Sequence, residues 1–530
     1  MRVKFILRNP FCVLGIVVLW RVLMLVFSAQ PIPANDAAFF DGAMVNWFLH
    51  GHYFNPGLSV VFPISGHQVY AAYPPLYQGA LWVWMKLFGA SVISAMALHV
   101  ALFAVASFLA LTMVKKFFPA AANYALVPLL LFAMTFDDRP EGLAHCFGLC
   151  SLLLAGKIIA DGFNWRRGML LALALLAALY TSVIVAALYF GTGFIALAVG
   201  WLRQRKVIWF APYFSAAILF AVIAFAIAST KPLWWAGFQE NARQTPVLAI
   251  GFRRPDLLEI LKLIRTAPVF LLGIAMLPLV WARRRQILAN PESWLALVVG
   301  IFVTGWGLLV ADMTLLAANY VGYVLFLQIL LAAGLLALGE TFFPAWRTRL
   351  QVVLLGCVLL VSVRAMGLTT WGVACAAKNS YPQTHEVLLR EFAPFAKTNT
   401  AVIMSSAYLY TALEANVQNP IHSDWFFDRA NWTNNADLNG LVAAQPGKLV
   451  LVQFDYYRAF APLLERLSRE QPQVKITVRD LALVRTPDSI PSLQRVVQHI
   501  SWAPVIVDLD WKFPAPPVPF AADKKLSDGF

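Results

Sequence analysis

The chain has 530 residues, 60% of them hydrophobic and only 13% charged, with a mean hydropathy of +0.68. A soluble protein of this length needs far more surface charge, so the composition excludes a soluble enzyme and points to a polytopic membrane protein. The net charge of +14 does not indicate nucleic acid, because the basic residues cluster in short connections between apolar runs. Arg2-Lys4-Arg8, Lys115-Lys116, Arg166-Arg167, Arg203-Arg205-Lys206, Arg283-Arg284-Arg285 and Arg347-Arg349 follow the pattern of cytoplasmic loops.

A membrane helix takes about 20 mostly apolar residues. In chain order, such runs lie at about 11–29, 91–114, 121–136, 143–160, 168–183, 184–202, 207–228, 267–282, 293–313, 320–339 and 351–372. That predicts about eleven crossings. The first run is long, carries Arg21 and has no small-residue cleavage site, so it reads as a retained span. With the amino terminus cytoplasmic, alternation keeps every basic cluster inside. Residues 30–90, the Asp137–Glu141 turn, residues 229–266 and the carboxy-terminal domain then lie outside, with Tyr180-Thr181-Ser182 as a very short outer turn.

The first outer loop is rich in aromatic residues, and Ala80–Phe88 reads as an interfacial helix started by Pro74-Pro75. Its histidines His50, His52 and His67 share the loop with Asp36 and Asp41, so the sequence permits a divalent metal without requiring one. Residues 229–266 carry Lys231, Arg243, Arg253, Arg254, Lys262 and Arg265 against three acids. That surplus suits either a lipid-linked phosphate, with Arg243 and Arg253 as contacts, or a solvated amphipathic helix. Cys146 and Cys150 read as buried small hydrophobes.

The carboxy-terminal domain, expected over 378–513 after a membrane domain at 1–377, alternates strands and helices. Strands are expected at Thr400–Ser405, Lys448–Phe454, Val474–Val478, Ala482–Arg485 and Val505–Leu509, with helices around Ala407–Ala415 and over Tyr456–Arg469. It has no phosphate loop, GxGxxG or nucleophile elbow, so a supporting or acceptor-recognising role is expected. Asn431-Trp432-Thr433 is a sequon by pattern, and residues 514–530 read as a flexible tail.

The outer segments hold a recognisable order of short motifs. The first loop runs Asn35-Asp36-Ala37-Ala38-Phe39-Phe40-Asp41, Leu49-His50-Gly51-His52-Tyr53, Tyr73-Pro74-Pro75-Leu76-Tyr77 and Leu87-Phe88-Gly89-Ala90-Ser91. The second turn reads Asp138-Arg139-Pro140-Glu141-Gly142-Leu143-Ala144, and Ala318-Asn319-Tyr320 precedes the tenth run. In this order the motifs resemble the GT-C class of integral-membrane glycosyltransferases, particularly the family of protein O-mannosyltransferases and the lipid A aminoarabinose transferase.

The resemblance implies a polytopic GT-C-like helical fold, set in the bacterial inner membrane, with an extracytoplasmic α/β domain. It implies a sugar donor on a polyprenyl phosphate, an unknown acceptor (protein, lipid or glycan), and transfer at the extracytoplasmic face. Asp36 would be the general base. The family often has Asp-Glu there; this chain has Asp36-Ala37, so Asp41 is the candidate second carboxylate. Where relatives read Arg-Pro-Asp, this chain has Arg139-Pro140-Glu141, one methylene longer. Asp138 and Glu141 would assist the donor or a metal, with Arg139, Tyr73, Asn319 and Tyr320 as substrate contacts.

The chemistry agrees with that resemblance: displacing a sugar from phosphate needs a base at the attacking oxygen and positive charge at the departing group. The other classes open to the sequence are a transporter or lipid-linked sugar flippase, which internal repeats and broken helices would favour, and a noncatalytic scaffold.

Overall fold

The computed structural model describes residues 10–118 (without 31–34, 61 and 72), 141–244 (without 205), 254, 257–258, 260–261, 267–282, 293–315, 321–342, 366–367, 369–375, 380–423, 435–452, 457–481 and 502–511. The expected span 121–136, most of 351–372, the strand Ala482–Arg485, the sequon and the tail lie outside these residues. The chain divides into two compact units, one of residues 1–31 and 69–371, the other of residues 32–68 and 372–530. Residues 32–68 of the expected first loop belong to the second unit.

In chain order the first helices are α1 (Pro10–Ser28), α2 (Asn35–His50, second unit), α3 (Pro75–Phe88), α4 (Val92–Phe117) and α5 (Glu141–Asp161). Next come α6 (Trp165–Leu179), α7 (Val183–Gln204), α8 (Ala211–Thr230), α9 (Pro232–Gln244), α10 (Pro268–Ala282), α11 (Ser293–Leu315) and α12 (Leu325–Phe342). Among the described residues five segments are long and apolar enough to cross a membrane: α1, α4, α5, Val183–Trp201 of α7, and Val207–Thr230, which holds α8. The chain is a multi-pass membrane protein.

The helix boundaries follow from local chemistry. Pro75 starts α3 at its first position, where its missing N–H is not needed, and Gly89 ends it with φ +83°. Ser91 caps α4 by accepting from Ser94 N at 3.1 Å, and Asn164 caps α6 by accepting from Arg166 N at 2.8 Å. Small residues let the helices approach closely. A Cβ on Gly300 of α11 would lie 2.3 Å from the Thr192 carbonyl oxygen of α7, and one on Gly148 of α5 would lie 2.1 Å from the Tyr189 ring. Arg21 of α1 is buried, its guanidinium 5.3 Å from the Phe103 ring centroid.

The second unit is built on a five-stranded sheet of order β2-β1-β3-β5-β4. The strands are β1 (Val402–Met404), β2 (Pro420–His422), β3 (Lys448–Val452), β4 (Val474–Asp480) and β5 (Pro504–Trp511). β1 runs parallel to β2 and β3, pairing Ile403 with Ile421 and Leu449, while β5 is antiparallel to β3 and β4. Its helices are α13 (Tyr381–Phe392), α14 (Leu409–Glu414), α15 (Asn435–Ala444) and α16 (Tyr457–Glu470). The strands and helices foreseen here form, apart from the undescribed one, while α13, α15 and β2 are additional. The core joins Ile403, Leu449 and Val507 of the sheet to Leu441 of α15 and Leu463 and Leu467 of α16.

Opposite charges fasten α13 to the sheet. Glu391 accepts from Arg479 at 2.7 and 2.8 Å and from Lys448, while Asp508 takes Arg479 at 2.9 Å and Lys448 at 3.0 Å. The bidentate guanidinium beside Glu391 holds its carboxyl down at about 2.

Candidate functional site

In the first unit, three segments meet at one helix end. Glu141 opens α5, where a carboxylate favours the positive end of the helix dipole. It is buried, with 5% of its surface exposed. The Tyr73 hydroxyl donates to Glu141 Oε1 at 2.7 Å and lies 3.3 Å from Ser182 Oγ. Leu76 N donates to the Tyr180 carbonyl at 3.0 Å, so the Tyr180–Ser182 turn receives the start of α3. Tyr73 and Glu141, from motifs read separately in sequence, are therefore joined by a hydrogen bond.

A polar layer continues below them. His145, one turn after Glu141 on α5, has Nδ1 2.8 Å from the Tyr189 hydroxyl, and its ring centroid is 4.9 Å from that of Phe326. Tyr77 Oη is 3.1 Å from His99 Nε2. Each buried imidazole thus meets a phenol, as polar groups within apolar surroundings require.

In the second unit, the Asn-Asp-Ala-Ala-Phe-Phe-Asp segment is helical rather than a loop: Asp36 lies in the first turn of α2 and Asp41 one and a half turns on. Positions 36 and 41 stand about 140° apart around the helix axis. Asp41 has no exposed surface and accepts a hydrogen bond of 2.7 Å from Tyr410 Oη of α14. His50, at the end of α2, places Nε2 2.7 Å from the Leu413 carbonyl, also of α14. Asn55 donates to the Phe39 carbonyl at 3.2 Å. It sits so close that a Cβ on Gly42 would fall 2.7 Å from its amide.

The expected site residues are thus distributed. Tyr73 and Glu141 come together in one unit; Asp36 and Asp41 share a helix of the other. Arg243 lies in the last turn of α9. Asp138, Arg139, Arg253, Asn319 and Tyr320 lie outside the described residues. His50 is engaged with a backbone carbonyl, and His52 stacks on Phe54 with centroids 5.6 Å apart. Among the described residues no group of three or more His, Cys, Asp or Glu is arranged to hold a metal. Ser182 and Tyr410 were not singled out by sequence. Ser182 had its outer turn as a signal; Tyr410, 369 residues from its partner, had none.

The chain superposes on ArnT from Cupriavidus metallidurans bound to undecaprenyl phosphate with a TM-score of 0.51, at 14% identity over 94% of this chain and 97% of that one. The fold is that of the GT-C class. ArnT in its apo state gives a TM-score of 0.48 at 14% identity, over 93% and 97% of the two chains. The archaeal oligosaccharyltransferase AglB from Archaeoglobus fulgidus, in complex with an inhibitory peptide and a dolichol-phosphate, gives 0.48 at 10% identity, over 93% and 77%. No family model and no curated protein matches the sequence. The GT-C likeness is one of fold, and within it the Tyr73 hydroxyl is hydrogen-bonded to Glu141.

Proposed function

We propose that this protein is a glycosyltransferase that moves a sugar from a polyprenyl-phosphate donor to an acceptor at the extracytoplasmic membrane face. The observation that carries the reading is the bond from Tyr73 to the buried Glu141, which joins two of the motifs behind the GT-C resemblance in a chain of GT-C fold. The ArnT structure of like fold holds undecaprenyl phosphate, which supports a donor of that chemical class. The acceptor stays a protein, lipid or glycan hydroxyl.

In the proposed reaction Asp36 takes the proton of the acceptor hydroxyl as its oxygen attacks the anomeric carbon. The bond from that carbon to the phosphate oxygen breaks, and the polyprenyl phosphate departs with the electron pair. A single displacement of this kind inverts the anomeric centre. Asp138, Arg139 and Glu141 assist donor placement, with Tyr73 fixing Glu141 and Asn319 and Tyr320 adding substrate contacts. Arg243 and Arg253 balance the charge on the departing phosphate. The test is sugar transfer from a synthetic polyprenyl-phosphate sugar by the purified full-length protein. Loss of transfer in Asp36→Asn supports the reading; undiminished transfer removes Asp36 from it.

A further inference from the structure

We infer that Asp41 and Tyr410 act as positioning residues for Asp36, a role that rests on the function proposed above. Asp41 is the acid the sequence offers as a second catalytic carboxylate. Its surroundings suit a different task. It has no exposed surface, and Tyr410, itself only 4% exposed, donates to Oδ2 at 2.7 Å.

Burying a carboxylate is costly unless hydrogen bonds compensate, and the cost rises further when the partner is removed. A single register of α2 against α14 therefore satisfies this group, and turning or sliding α2 breaks the bond. The same short helix meets α2 again through the Leu413 carbonyl and His50, 2.7 Å apart. A third restraint comes from Asn55, which holds the Phe39 carbonyl at 3.2 Å and packs against Gly42 without room for a methyl group. These contacts bracket positions 39 to 50 and leave the first turn, which carries Asp36, as the end that they aim. Displacements of about 1 Å at a reacting group cost up to about a hundredfold in rate, so aiming this helix is a catalytic requirement even though Asp41 touches no substrate.

The experiment compares wild type, Asp36→Asn, Tyr410→Phe, Asp41→Asn and Asp41→Leu in one polyprenyl-phosphate-sugar assay. Amide hydrogen exchange over residues 35–50 and over β5 is measured in parallel. Positioning predicts a fall of about tenfold in kcat for Tyr410→Phe, with donor KM unchanged and the pH profile of kcat unmoved. Asp41→Leu falls as far or further. Asp41→Asn, whose amide oxygen still accepts from Tyr410, loses less than Asp41→Leu, and combining it with Tyr410→Phe is non-additive. Exchange rises in α2 and stays constant in β5.

Asp41→Asn as inactive as Asp36→Asn, with the acid limb of the pH profile shifted, would make Asp41 a catalytic carboxylate and overturn the inference. Equal exchange of α2 in wild type and Tyr410→Phe overturns it too, whether or not transfer is detected. Absence of transfer by wild type sinks the functional reading instead, and the exchange measurement still decides whether Tyr410 fixes the helix.

Discussion

The Tyr73 hydroxyl donates to Glu141 Oε1 at 2.7 Å, tying the segment before α3 to the first turn of α5. Glu141 is buried, so the bond offsets part of the cost of taking a carboxylate out of water. Tyr73→Phe is expected to lower stability by about 1–2 kcal/mol. If Glu141 serves the donor, the same variant raises donor KM by about tenfold with a smaller effect on acceptor KM. Thermal unfolding in detergent and initial rates at varied donor concentration check the two parts separately.

Close helix packing is tested at Gly300. A Cβ there would approach the Thr192 carbonyl oxygen to 2.3 Å, and backbone cannot yield as a flexible side chain does. Gly300→Val is expected to separate α7 from α11 and to destabilise the protein by about 1–3 kcal/mol. Gly307→Ala, on the same helix with open space around it, is the control and leaves the melting temperature within about 1 °C. Equal melting temperatures for Gly300→Val and wild type would contradict the close approach.

Acid should loosen the second unit through Glu391. Its carboxyl sits at about 2 when folded, against an ordinary 4.5. The folded value is the lower one, so the stabilisation is complete above about pH 4.5 and is lost as the pH falls towards 2. Hydrogen exchange in β3 and β5 of the full chain is expected to be constant from pH 7 to 5, after correction for the intrinsic rate, and to accelerate below 4.5. Glu391→Gln destabilises the unit at pH 7 by about 2 kcal/mol, because the buried Lys448 loses a carboxylate partner, and it flattens the acid response.

The topology makes its own prediction. In a cysteine-free background, Asp36→Cys and Asp138→Cys are both expected to react with a membrane-impermeant thiol reagent from the extracytoplasmic side, whereas Arg166→Cys is not. Labelling of positions 36 and 138 from opposite sides would remove the arrangement on which the proposed chemistry depends.

The apolar helices were legible in the sequence because bilayer thickness alone sets their length, and Pro74-Pro75 marked the start of α3 because proline fits a first helical turn. Helix α2 was not legible. Residues 39–46 are buried on every side, so no polar stripe alternates with an apolar one to signal the helical period. Strand β2 escaped notice because it is three residues long, begins with a proline and lies at the edge of the sheet. At the site, the individual acids and Tyr73 were readable as residue types. Their partners were not: Glu141 finds Tyr73 across 68 residues and Asp41 finds Tyr410 across 369, distances that no local pattern reports.

The most direct test is transfer of a radiolabelled sugar from a synthetic polyprenyl phosphate to a mixed acceptor fraction by the purified protein, with Asp36→Asn alongside. The account predicts transfer by the wild type, release of free polyprenyl phosphate in equal amount, and a fall of about 10²–10⁴-fold in the variant. Equal rates for the two proteins, in a preparation where both are folded, would contradict it.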